Sequence, residues 1–233
     1  LYPARARADR ARADVDVVLD VAFAGRERVA TGTAEISFVN RANDALDRAY
    51  VWLYANRFRR PSAALDDVSF YWVYPRAQNP GGMSVTSVAV DGQALAADSV
   101  HTRAQALAGP DTLVEITLPR RLMPGARTTL RVTFTLVVPE RYGDFGCVNG
   151  QCALLGGFYP MLATLDRAGW NLYAPPARAR FRGRLRFARA RDVIVFGRRT
   201  RGQVVEFAGT GHYVPVLVAE RFFASKAQHR GVT

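Results

Sequence analysis

The sequence predicts an all-β protein: one large antiparallel domain whose sheets are packed face to face or strongly twisted, in a β-sandwich-like arrangement. Three observations carry this expectation. Apolar residues recur with a period of two along most of the chain, which is the side-chain period of a strand. Turn pairs such as Asp91-Gly92, Pro124-Gly125 and Asn149-Gly150 punctuate these runs. Helical spacing is weak throughout, and no repeat, low-complexity linker or charge block marks a domain boundary. The chain has 233 residues, 49% hydrophobic and 11% aromatic, which is enough to bury a sizeable core and excludes a disordered basic tail.

The elements follow in order. "DVDVVLDVAF" (Asp14 to Phe23) and "RVATGTAEISFVN" (Arg28 to Asn40) read as paired strands joined across Ala24 to Glu27. In the second, Ala34, Ile36 and Phe38 are expected in the core, with Thr33, Glu35 and Ser37 toward water. "AYVWLYAN" (Ala49 to Asn56), apolar on both faces, reads as a buried strand, and Pro61 to Asp67 as one short turn. "MSVTSVAV" leads into Asp91-Gly92, "TLVEITLP" follows, and Pro124-Gly125 turns the chain into a long strand ending at Pro139. The last third continues with Arg180 to Ala188, Val193 to Phe196, Val204 to Ala208 and Val214 to Ala219. Residues 1–224 read as a single domain and 225–233 as a tail.

The formal net charge is +12, and 31 of the 32 basic residues are arginine, Lys226 being the exception. In "RARFRGRLRF", Arg178, Arg180, Arg182, Arg184 and Arg186 alternate with Ala179, Phe181, Gly183, Leu185 and Phe187. That is the pattern of a half-buried strand with its arginines outward. Successive guanidinium groups would stand about 6.6 Å apart along the strand. They then need acidic neighbours, counterions or an acidic docking surface. The excess charge is spread over the whole chain, so nucleic acid is not an expected partner.

The two cysteines, Cys147 and Cys152, flank the Asn149-Gly150 hairpin signal in "CVNGQC". A type I′ turn there makes them a non-hydrogen-bonded cross-strand pair about 4.5 Å apart at Cα, which a disulfide can span. A disulfide implies an oxidising compartment, periplasmic or extracellular. Two buried free thiols are the alternative. A redox role is discounted, because the hairpin lacks the helix N-terminus that lowers a thiol pKa. A zinc pair would lack further ligands.

No arrangement of residues points to catalysis. His101, His212 and His229 have no second histidine within four positions, so no H-E-x-x-H exists. No G-x-S-x-G occurs, and the "GTG" before a strand lacks the helix that would cradle phosphate. Asp66-Asp67 reads as loop. No run of 18 apolar residues is present to span a bilayer. The chain begins at Leu1 without a signal-like segment and reads as a mature or excised piece.

The order of "VVLDVAF…VATGTAEISFVN", "VWLYANRF", "RRLMPGARTTLRVTFTLVVPERYGDFG", "LLGGFYPMLA", "GWN", "RLRFARARDVIVFGR" and "VVEFAGTGHYVPVLVAERF" resembles the N-terminal domain of the aminopeptidase N family of zinc metallopeptidases. The resemblance spans nearly the whole chain. It implies a saddle-shaped β domain that walls the cleft of a separate catalytic domain binding zinc through H-E-x-x-H. That domain and its peptide substrate would be the partners, with residues 225–233 starting the linker toward it. The resemblance also implies a polar side chain lent to the substrate site from a T-Q-x-E-like stretch. The corresponding "NGQCALLGGFYP" departs from that motif and leaves Gln151 as candidate. Phe158, Tyr159, Trp170 and Tyr173 are the expected docking face. The other reading is a free-standing secreted module that binds carbohydrate through its aromatics or a polyanion through the arginine row.

Overall fold

Alternating burial in β1 (Val15–Ala24) sets the plan of the molecule: Val15, Val17, Leu19, Val21 and Phe23 are buried, while the residues between them are not. A computed structural model describes residues 15–24, 28–61, 65–105 and 109–223. After β1 come β2 (Val29–Val39), β3 (Leu46–Trp52), a 3-10 turn at Tyr54–Phe58, α1 (Asp67–Val73), β4 (Gly82–Val90) and β5 (Gln93–Ala94). Then follow β6 (Val100–Gln105), β7 (Gly109–Leu122), β8 (Arg127–Val137), β9 (Phe145–Val148) and β10 (Gln151–Leu154). The chain continues through β11 (Met161–Leu162), β12 (Thr164–Asp166), β13 (Gly169–Asn171), β14 (Ala179–Val195), β15 (Arg198–Gly211) and β16 (Val216–Ala219).

Ten strands form one large sheet in the order β5-β4-β8-β2-β1-β14-β16-β10-β9, with β15 on β14. A second sheet runs β11-β3-β7-β6, and β12 and β13 form a small hairpin. Side chains of both larger sheets, including Leu19, Ile36, Leu130, Phe134, Val51 and Ile116, belong to one contiguous core. The fold is all-β, as the periodicity predicts.

The sheet is not antiparallel throughout. β1 runs parallel to β14, in a register that places Asp16 beside Arg180 and Asp20 beside Arg184. This pairing joins segments far apart in sequence, and periodicity carries no information about strand direction. Gly183 sits in the middle of it: a Cβ there would lie 2.2 Å from the Leu19 carbonyl oxygen, so only glycine lets the two backbones approach.

β14 also changes neighbours. Residues 180–187 pair with β1, whereas Asp192 to Val195 pair with β16. A register shift against β15 between Arg186 and Arg191 marks the change. The two short strands expected over 180–196 are therefore one bulged strand, and the strand expected at Val204 to Ala208 extends over Arg198–Gly211.

Two further expectations are corrected. The strand expected over Ala49 to Asn56 ends at Trp52. Buried Asn56 then donates to the Asp111 carbonyl and accepts from the Met83 N–H, each at 2.6 Å, and this curls the chain. Beyond the expected turn lies helix α1, whose N-cap Asp66 accepts from the Ser69 N–H at 2.7 Å. Seven residues give too little periodicity to register as a helix. The connection at 25–27, residues 62–64 of the expected turn, His229 and the tail 225–233 lie outside the described residues.

Candidate functional site

The β9–β10 hairpin closes on Asn149 and Gly150, with φ of 51° and 77°, both in the left-handed region that a type I′ turn needs. Cys147 and Cys152 face each other across it with Cα atoms 4.1 Å apart and are joined as a disulfide. Gln151, next in the strand, is exposed and lines a cleft of about 910 Å³ at this end of the large sheet.

The cleft's other wall comes from Asp192 of β14, Arg199 to Arg201 of β15, and the end of β16 with the residues just after it. Asp192 pairs with Ala219 on one side and Arg201 on the other. Its side chain is 3% exposed. Arg199 and Arg201 donate to its two carboxylate oxygens, and the Phe222 N–H adds a third bond at 2.9 Å. The Phe222 N–H, then Arg201 and Arg199, hold the carboxyl well below the usual carboxylate range, outweighing the cost of desolvation. Both arginines also reach backbone: Arg199 to the Phe222 carbonyl at 2.7 Å and Arg201 to the Glu220 carbonyl at 2.6 Å. Arg199 further lies over the Phe222 ring, 5.9 Å from its centroid. The sequence reading did not single out Asp192, Arg199 or Arg201. Counting back from a turn at Phe196-Gly197, as for the cysteines, would have placed Asp192 opposite Arg201.

The arginine row has acidic neighbours. Arg180 makes two bonds to Asp16, at 2.8 and 2.9 Å. Arg184 and Arg186 reach Asp20 at 2.6 and 2.7 Å, and Arg127 approaches Asp16 from β8. These bonds raise the Arg180 and Arg184 pKa values further. Arg178 and Arg182 are exposed.

The expected aromatic docking face is corrected in part. Phe158 and Tyr159 are core residues at 0% and 1% exposure, packed edge-on against each other, with Tyr159 also against Phe181. Burial pushes the Tyr159 hydroxyl pKa up. Trp170 is half-buried between Phe38 and Tyr50 and donates to the Arg48 carbonyl at 3.0 Å. Only Tyr173 of the four is largely free, beside Trp52, Tyr54, Pro175 and Pro176.

His101 is exposed on β6 and pairs in register with Glu115. His212 donates from Nδ1 to the Pro176 carbonyl at 2.7 Å. Asp66 is the cap of α1. Among the described residues no three His, Cys, Asp or Glu side chains are grouped closely enough to hold a metal ion. No helix among them is long and apolar enough to cross a membrane.

The site thus sits at one end of a large, open, all-β sheet with one parallel pairing in its interior and an arginine-lined cleft. No protein-family model and no curated protein matches the sequence. Among solved structures, a mutant M1 zinc metallopeptidase from Deinococcus radiodurans, bound to a Tyr-Ser-Ala substrate, is similar with a TM-score of 0.50 and 18% identity. That similarity covers 88% of this chain and 42% of that one. Yeast LTA4 hydrolase in complex with bestatin is similar with a TM-score of 0.47 and 11% identity, over 94% of this chain and 32% of that one. At these identities the likeness is one of fold, and the chain spans less than half the length of either structure.

Proposed function

We propose that this chain is the non-catalytic β domain of an exported zinc aminopeptidase. In this reading it walls the active-site cleft of a separate peptide-hydrolysing domain that holds the zinc. The observation that carries the reading is the fold shared with the substrate-bound M1 metallopeptidase, over most of this chain but less than half of that one. The motif order read from the sequence points the same way. The disulfide between Cys147 and Cys152 supports an oxidising location.

Gln151 is the proposed substrate contact, because it is exposed at the lip of the cleft on a hairpin braced by the disulfide. The alternative of a polyanion-binding module loses support from the paired state of Arg180, Arg184 and Arg186. Sequencing the reading frame beyond Thr233 tests the proposal. An H-E-x-x-H with a later glutamate is expected within the next couple of hundred codons, and a stop codon shortly after Thr233 overturns it. In the complete enzyme, Gln151→Ala should raise KM for peptides by about tenfold, the worth of one hydrogen bond to a charged group. An unchanged KM removes Gln151 from the substrate site.

A further inference from the structure

The arginines opposite Gln151 are held in an unusual way. Arg199 uses one terminal nitrogen, Nη2, for both Asp192 and the Phe222 carbonyl. Arg201 likewise uses only Nη1, for Asp192 and the Glu220 carbonyl. The remaining donors, Nε and Nη1 of Arg199 and Nε and Nη2 of Arg201, make no hydrogen bond among the described residues. Both side chains are about half exposed, at 45% and 53%, and line the 910 Å³ cleft with Gln151, Asn149 and Arg221.

A flexible surface arginine loses side-chain entropy when it binds an anion. These two have already lost much of it, because buried Asp192, two backbone carbonyls and the Phe222 ring fix their planes. As residues i and i+2 of one strand they stand about 6.6 Å apart on one face. Asp192 already accepts from three donors and its side chain is 3% exposed, so it is poorly placed to repel or compete with a ligand. Glu220 is the other acid lining the cleft, against three arginines.

We propose that Arg199 and Arg201 form a carboxylate-binding subsite in the cleft beside Gln151. The free Nε/Nη2 edge of Arg201 is a planar fork that suits a carboxylate, Arg199 adds Nε and Nη1 as single donors, and Asp192 acts as the positioning residue that aims both side chains. The carboxylate comes from a peptide, either its C-terminus or an acidic side chain. Only this choice of source rests on the peptide-handling reading above.

The test is an NMR titration of the chain, following the side-chain Nε–H signals of the two arginines, with three probes. These are Tyr-Ser-Ala as the free acid, Tyr-Ser-Ala amide and Tyr-Glu-Ala amide. At least one carboxylate-bearing probe is expected to shift both signals, with the neutral amide at least tenfold weaker. The free acid acting alone assigns the C-terminus, and the glutamyl amide acting alone assigns an acidic side chain. Arg201→Lys keeps the charge but loses the fork, Arg199→Lys keeps the charge but loses the fixed Nε and Nη1 donors, and each should weaken binding about tenfold. If a lysine variant fails to fold, as judged by its melting curve, the three-probe series on the native chain decides alone. Equal binding of acid and amide, no shift with any probe, or folded lysine variants that bind like the native chain overturns the proposal. The result is independent of the reading frame beyond Thr233: a stop codon would refute the peptidase domain and leave the subsite standing.

Discussion

Asp192 stays ionised with its side chain 3% exposed because a backbone N–H and two guanidinium groups replace the water it has lost. Its folded pKa lies below the value of about 3.9 for an unfolded aspartate. The stabilisation is therefore complete above about pH 5 and is lost as the pH falls through the unfolded value toward the folded one. Asp192→Asn should lower Tm by several degrees near neutral pH, and calorimetry should find the gap to the native chain narrowing near pH 3. Asp16 and Asp20 belong to a different regime. Their arginine partners are about half exposed, so solvent screens each pair and leaves it a weak contributor to stability. Replacing both with Asn should cost little stability but leave Arg180, Arg184 and Arg186 unneutralised. Retention on heparin should then extend to distinctly higher salt than for the native chain, and unchanged elution would show that the aspartates do not mask the row. The sequence shows that these arginines face outward, but not that Asp16 and Asp20 face them, because that depends on a pairing across 164 residues.

At the scale of elements, the hairpins were legible where their turns carry conventional residues. Asn149-Gly150 placed Cys147 opposite Cys152, and the structure joins them. The β14–β15 turn was missed because its first residue is Phe196, held at φ 48°, a conformation that a bulky side chain rarely adopts. The Phe196 ring packs toward Phe181 and Phe207 and fills the space above Gly209, so tertiary contacts override local preference. The disulfide closes a very short loop, with a sequence separation of 5. Loop-closure entropy gives it about 2 kcal/mol, and urea unfolding of a Cys147→Ala, Cys152→Ala double variant should read a loss of that size. Gly183→Ala should cost about 1–3 kcal/mol by forcing β1 and β14 apart, visible as a lower urea midpoint. A native-like midpoint would mean the strands can part at no cost.

The all-β class was readable at the scale of the whole molecule because alternation survives in β1, β2, β8 and β14. The candidate cleft was half readable. Gln151 stood beside a recognisable turn, whereas Asp192 and its arginines are brought to it by β16, a four-residue strand between β10 and β14. Burial of Phe158 and Tyr159 was also beyond the pattern, since "GGFYPML" has no alternation to separate core from surface.

The parallel pairing of β1 with β14 has a consequence in time. β1 is the first described strand to be made, yet its second edge is not covered until residues about 164 positions later are available. At roughly 5–20 residues per second, a growing chain waits about 8–33 s with that edge bare. Through this interval Val17, Leu19 and Val21 have β2 beside them but not the strand that completes their sheet. The nascent protein thus carries its own delay, set by the order in which its strands are synthesised, and chaperone occupancy should peak in chains halted before Arg180.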